Sequence, residues 1–134
     1  MLKELKISTN KKQELTDITD KVKKAVKDSG TKQGICVIYV PHATAGILIN
    51  ENADPNVCQD IINQLNYLIP EHNNYKHNCV DNNAHSHIKA SIIGPSETII
   101  INNGELQLGR WQGIALAEFD GPRQRKVFVK IIEG

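Results

Sequence analysis

Six consecutive residues, Ile35-Cys36-Val37-Ile38-Tyr39-Val40, are almost wholly apolar and mostly β-branched, and Pro41 closes the run. A run of that length and composition predicts an interior strand, because proline cannot donate to a ladder that continues past it. Such a strand requires neighbours on both edges, so the chain must build a sheet around it. With 134 residues the chain is expected to do so as a single domain, 1–134, large enough to form a core without staples.

Other segments supply the neighbours. Leu2 to Ile7 reads as a strand. Ile18, Val22, Ala25 and Val26 recur at helical spacing, with Thr19 or Asp17 as the cap and Gly30 as the stop. Gly46 to Ile49 reads as a short strand. Asp54 and Pro55 give the clearest helix start, followed on one face by Val57, Cys58, Ile61, Leu65 and Leu68 until Pro70. Residues 70–83 are a long polar loop rich in Asn and His, a length that in a compact domain marks function or disorder. Ser86 to Ile93 fits strand or helix equally. Glu97 to Ile101 and Leu106 to Leu108 flank Asn103-Gly104, a type I′ hairpin signal. Trp111 to Phe119 and Lys126 to Ile132 read as the last strands. Helices early and strands late predict an α+β fold with a largely antiparallel sheet.

Composition removes several function classes. Sixteen Lys+Arg against fifteen Asp+Glu leave a net charge of +1, which gives no field for non-specific nucleic-acid binding. Aromatic residues make up 4%, too few for a base-stacking platform. No apolar stretch approaches the roughly 20 residues of a membrane span. Lys3, Glu4 and Lys6 follow Met1 where a signal peptide would be apolar. Cys36, Cys58 and Cys79 are an odd, scattered set, which reads as reduced thiols in a cytoplasmic protein. Neither a glycine-rich phosphate loop nor HExxH nor GxSxG occurs.

Chemistry is left to polar residues at the ends of apolar elements. His42 follows the apolar strand, Glu51 follows Ile47-Leu48-Ile49, His77 sits in the polar loop, and His85-Ser86-His87 comes just after it. On a strand His85 and His87 would share a face and could reach one ion, and Lys89 would share it too. Imidazoles with a carboxylate suit zinc or a related divalent ion. Scattered loop histidines are, however, more often merely solvated. Glu51 is either a rim residue or a site acid, since a carboxylate ending an apolar strand is exposed or paired. Asp54 needs no role beyond its cap. Trp111 reads as core or as a contact beside Gly109-Arg110 and Gln112. Glu118 points into the core or a cleft, and Arg123 binds an anion or is solvated.

Three collinear blocks resemble the YjbQ-type family over essentially the whole chain. They are Pro41-His42-Ala43-Thr44-Ala45-Gly46 with Asn50 to Pro55; His77 with Ala84 to Lys89 and Gly104; and Leu106 to Ile114 with Glu118 to Arg123. The resemblance implies a β-sandwich-like α+β core with two or three helices, assembled as a homotrimer, with a cleft near subunit contacts where histidines hold a metal, commonly zinc. It also implies a secondary thiamine-phosphate synthase activity on a phosphorylated small molecule. Carried over by position, the expected metal ligands are His42, His77 and His87, with His85 auxiliary. Glu51, Glu118, Trp111 and Gln112 would surround them, and Lys89, Arg110 and Arg123 would clamp phosphate. A synthase could use magnesium instead of zinc. The same cluster could also serve a zinc-dependent hydrolase, with Glu51 or Glu118 as base, or a non-enzymatic trimer that binds metal or metabolite.

Overall fold

The computed structural model describes residues 1–134. Eight strands and three helices run in the order β1 (Leu2–Ser8), β2 (Glu14–Asp17), α1 (Thr19–Ser29), β3 (Gln33–Tyr39), β4 (Ala45–Asn50), α2 (Pro55–Leu68), α3 (Ala84–Ile93), β5 (Ser96–Asn102), β6 (Glu105–Leu106), β7 (Gly113–Glu118) and β8 (Gln124–Glu133). A 3-10 turn at Lys76–Cys79 interrupts the polar loop before α3. Every strand pair is antiparallel. A five-stranded sheet, ordered β1-β8-β3-β5-β6, faces a three-stranded one, ordered β2-β7-β4. No helix is long and apolar enough to cross a membrane.

The caps explain where the helices begin and end. The Asp54 carboxylate accepts from Asn56 N–H at 2.8 Å and Pro55 takes the first helical position, an arrangement worth about 1 kcal/mol. At α1 it is Ile18 that occupies the cap position, while Asp17 Oδ1 accepts from Thr19 N–H at 2.9 Å. Gly30 ends the helix at φ 70°. In the hairpin, Asn103 and Gly104 both have positive φ, 53° and 78°, as a type I′ turn demands.

The main core lies between the sheets and under α1. Cys36, Ile38, Val127, Val129 and Ile131 from the larger sheet meet Ile47, Ile114 and Leu116 from the smaller one and Val22 and Val26 from α1. Burial pushes the Cys36 thiol up to about 11. A smaller cluster, Ala90, Ala117 and Phe119 with Leu15, Leu65 and Ile93, fills the other side of the small sheet beneath α2 and α3. β7 is therefore buried on both faces. Ile114 and Leu116 project into the sandwich and Ala115 and Ala117 toward the helices, following the two-residue period. Small residues there let α3 approach.

β3 is interior in strand order, yet only one of its faces is covered. Ile35 pairs across the ladder with Ile100 on one side and Ile132 on the other, and all three are exposed on the outer face of the five-stranded sheet. Three cysteines remain free, buried at Cys36, half-buried at Cys58 and exposed at Cys79.

Candidate functional site

Residues 84–93 are helical, which decides the fate of the His-x-His pair. Two helical steps rotate a side chain by about 200°, so His85 and His87 point to opposite sides. His87 reaches solvent and meets His77 edge to face, with ring centroids 4.9 Å apart. His85 turns inward and is fully buried. Its Nδ1 accepts from Lys89 Nζ at 2.8 Å, and its Nε2 lies 3.3 Å from Ser86 Oγ, which donates to Phe119 O at 2.5 Å. That chain fixes His85 as the neutral Nε2–H tautomer. Burial, then the Lys89 charge, holds its pKa below the usual imidazole range. His85 is thus a packing residue of α3 and shares no face with His87.

Lys89 does not clamp phosphate from this position. It is completely buried and donates to Asn66 Oδ1 at 2.5 Å and Gln13 Oε1 at 3.3 Å as well as to His85. Burial lowers its pKa to about 8.

Glu118 is taken out of the candidate acids in the same way. It projects from β7 into the sandwich, where Arg125 projects from β8. Both are buried to within 1%. Arg125 Nε donates to Glu118 Oε1 at 2.9 Å and Nη2 donates to Oε2. Thr9 Oγ1 donates to Oε1 at 2.8 Å, and Asp120 N–H donates to Oε2 at 3.0 Å. Burial alone would raise the Glu118 pKa, but these donors, Arg125 foremost, hold it below the usual carboxylate range. Its lone pairs are occupied, so it is a structural anchor and not a base.

Around this anchor an open cleft of about 560 Å³ forms at the end of the sandwich. His42, Ala43 and Thr44 line it from the turn after β3, and Asp81, Asn83 and His87 from the entry to α3. Asp120 and Arg123 come from the turn between β7 and β8, and Arg125 from the start of β8. Arg123 Nε donates to Asp120 O at 2.8 Å and Nη2 to Asp120 Oδ2 at 3.0 Å, which leaves its other donors free toward solvent. Asn83 Nδ2 donates to the same Asp120 oxygen at 2.9 Å. His42 Nε2 accepts the backbone N–H of Lys126 at 2.9 Å. Its proton therefore sits on Nδ1, and burial followed by the Arg125 charge lowers its pKa. Arg125, Asp81, Asn83 and Asp120 were not singled out as site residues from the sequence. Only Arg125 carried a readable signal, because Arg125, Val127, Val129 and Ile131 alternate onto one face.

The remaining expected site residues lie elsewhere. β4 and β7 pair from Ala45↔Glu118 to Asn50↔Gly113, so the Glu51 end is five steps, about 17 Å, from the Glu118 end. Glu51, Arg110, Trp111 and Gln112 cluster toward that far end. Trp111 is 66% exposed, with the Arg110 guanidinium 5.0 Å from its ring. Gln112 Oε1 accepts from Gly109 N–H at 2.8 Å and closes the loop.

The expected convergence of three imidazoles and an acid does not occur within one chain. Nowhere do three His, Cys, Asp or Glu side chains gather around a point that could hold one ion. His42 has spent its Nε2 lone pair, and His85 is buried in another network. His77 and His87 remain as an adjacent pair, which does not fit the three or four protein ligands of a zinc site.

Comparison with known proteins agrees along the whole chain. The family model described as UPF0047 protein YjbQ-like matches residues 3–134. A UPF0047 protein of Methanocaldococcus jannaschii is 56% identical over 98% of this chain and 94% of its own. The UPF0047 protein YugU of Bacillus subtilis is 44% identical over 98% and 99%. A crystal structure of a YjbQ/UPF0047 family protein from Clostridium acetobutylicum superposes with a TM-score of 0.94 at 55% identity, covering 97% of this chain and 99% of that one. A YbjQ-like protein from Sulfolobus solfataricus superposes at 0.97 with 38% identity over 100% and 97%. By sequence and by fold alike, the chain belongs to the YjbQ/UPF0047 family.

Proposed function

We propose that the chain is a small-molecule enzyme whose substrate carries phosphate and whose centre is the cleft between His42, His87 and Arg123. The observation that supports this most is the donor set: a neutral imidazole with its Nδ1–H free, and a guanidinium pinned by Asp120 with its remaining N–H groups open. Arg123 would clamp a phosphoryl group, His42 would donate to it, and His87 would give or take a proton. The specific reaction proposed is thiamine-phosphate synthesis as a secondary activity. The bond from a pyrimidine methylene carbon to diphosphate oxygen breaks, diphosphate leaves with the electron pair, and a thiazole phosphate nitrogen forms the new C–N bond. The open Arg123 N–H groups and the His42 Nδ1–H would stabilise the leaving charge.

An assay of purified protein with the two precursors tests this. Thiamine phosphate is expected from the unaltered chain, with at least a tenfold loss in His87→Ala and in Arg123→Ala, the size of one missing charge-assisted contact. No product from the unaltered chain would end the synthase reading, and full turnover in both variants would end the site. Metal forms a second arm. His77 and His87 supply two ligands, so tight binding of a divalent ion is expected only with the diphosphate substrate present. Stoichiometric zinc retained through chelation without it would contradict that.

We also propose that the functional unit is a homotrimer. The exposed row Ile100, Ile35 and Ile132 is an apolar strip on an uncovered sheet, the kind of surface that association removes from water. A neighbouring copy would also bring Glu51, Arg110, Trp111 and Gln112 toward a cleft that its own chain keeps about 17 Å away. Sedimentation is expected to give a trimer for the unaltered chain and a monomer for Ile100→Lys. A trimeric Ile100→Lys would remove this face from the interface.

A further inference from the structure

We propose a second anion site, independent of the cleft above, that takes a small molecule bearing a diphosphate group. It is a cleft of about 540 Å³ where the C-terminal half of α1 meets the β5–β6 turn, within the range of small-molecule sites. Lys23 and Lys27 enter it from α1, Lys32 from the loop after α1, Asn103 from the turn and Glu105 from the start of β6. Three ammonium groups face one carboxylate, a local excess of two positive charges on a chain that is nearly neutral overall.

No ion pair includes Lys23, Lys27 or Lys32, although the Asp28 carboxylate next to Lys27 feels its charge. The ion pairs of the chain join Lys12 to Glu71, Lys24 to Asp28, Arg123 to Asp120 and Arg125 to Glu118. Lys23 and Lys27 stand four apart on one helix face, a like-charge spacing that weakens a helix. Lys24, between them, has its carboxylate at Asp28. The position of Lys32 is also built. Its carbonyl accepts from Gly104 N–H at 3.0 Å, and its ammonium lies over that glycine, where an added Cβ would come within 3.3 Å of Nζ. Gly104 thus serves twice, supplying the φ of 78° for the turn and leaving room for the Lys32 head at the mouth of the cleft.

The number and origin of the cations select the ligand. They arrive from two chain segments, two from α1 and one from the loop after it, and each is a compact point charge with several donors. A diphosphate spreads its charge over two phosphoryl groups and can meet such separated ammoniums together. A single orthophosphate or carboxylate reaches fewer of them. Glu105 favours a ligand that also carries a donor, such as a hydroxyl or amino group.

The test is a titration of the intact, isotope-labelled protein with inorganic pyrophosphate in chelator-treated buffer, followed by backbone amide shifts. Saturable shifts are expected at the Lys27, Lys32 and Gly104 amides. Lys32→Gln should weaken binding by about fivefold, the scale of one exposed charge contact. The Lys23→Gln, Lys27→Gln, Lys32→Gln triple variant should abolish saturation, and Glu105→Gln should tighten binding. Lys6→Gln, on β1, is the control for general charge and should leave binding within about twofold. Orthophosphate should bind at least tenfold more weakly. Shifts that never saturate, equal affinity for orthophosphate, or equal losses in Lys6→Gln and Lys32→Gln would overturn the proposal. Tighter binding of a single-stranded oligonucleotide than of pyrophosphate would overturn the small-molecule class. None of these outcomes depends on thiamine-phosphate synthesis, so the two proposals stand or fall separately.

Discussion

Arg125→Ala is expected to lose about 3–5 kcal/mol of folding stability, because it leaves the Glu118 carboxylate buried without its counter-ion. Arg125 is 1% exposed and Glu118 not at all, so water cannot replace the guanidinium without opening the sandwich. Thr44 Oγ1 would also lose the donor that now reaches it at 2.9 Å. The pair is not on that account a large net source of stability. Exchanging both partners for apolar residues of similar volume, Glu118→Leu with Arg125→Met, removes the desolvation cost together with the attraction. It leaves Asp120 N–H short of an acceptor and Thr44 Oγ1 short of a donor, while Thr9 Oγ1 still has Arg123 O at 3.0 Å. The double variant is therefore expected to lie well above Arg125→Ala, within about 2 kcal/mol of the unaltered chain. Denaturant melts of the three proteins check the order. Equal losses in the single and double variants would mean that packing, not the orphaned charge, sets the cost.

The same pair gives a pH signature. Its folded pKa lies below the unfolded value of 4.5, so its contribution is complete above about 4.5 and disappears as pH falls through the folded pKa. Stability of the unaltered chain should fall on acidification below about pH 4.5, and the Glu118→Leu, Arg125→Met chain should fall less steeply there.

Much of the scaffold was legible because local chemistry and tertiary demand agree. Asp54-Pro55, Gly30 and Asn103-Gly104 specify caps and a turn whose geometry depends on a few adjacent residues, and each is found at its place. The strands from Leu2, Gly46, Glu97 and Lys126 were readable within one or two residues, the Gly46 strand from its apolar run and the others from a period-two pattern that follows one buried face. β2 was missed because three half-buried residues and one exposed one carry no such pattern. Ser86 to Ile93 was ambiguous because α3 buries Ala84, His85, Ser86, Lys89 and Ala90. Polar residues on the buried face hide the helical period, and only the partners they find in Asn66 of α2, Gln13 and Phe119 O make that face tolerable.

The site was legible by residue type but not by arrangement. His42, His87 and Arg123 do line one cleft. The separation of Glu51 and Trp111 from them follows from the β4–β7 register, which no single segment encodes. Glu118 shows the limit most clearly. An acid after Ala115-Leu116-Ala117 reads as a candidate base until Arg125, seven residues on, is seen to share its interior layer.

Gly34→Ala is the second substitution expected to act strongly, with a loss of about 2–4 kcal/mol. Gly34 is the second residue of the central strand β3, held between Ile101 of β5 and Glu133 of β8. A Cβ there would stand 2.1 Å from Ile132 O and 3.0 Å from the carbon that bears it. Those are backbone atoms, so no rotamer can relieve the clash. The strands must part, and the pairing of Ile35 with Ile132 next to it is lost as well. A glycine inside a strand is the usual mark of such a close approach. Gly30→Ala makes the right comparison, because nothing lies within 4 Å of a Cβ there and only the left-handed φ of 70° is unfavourable. That change is expected to cost about 1 kcal/mol. If steric contact is the cause, Gly34→Ala should also speed amide exchange at Ile35 and Ile132 while leaving the β4–β7 ladder protected. A loss no larger than that of Gly30→Ala would mean that the end of β8 moves aside freely, and that the β3–β8 ladder is held by its Cys36–Ile131 and Ile38–Val129 pairs alone.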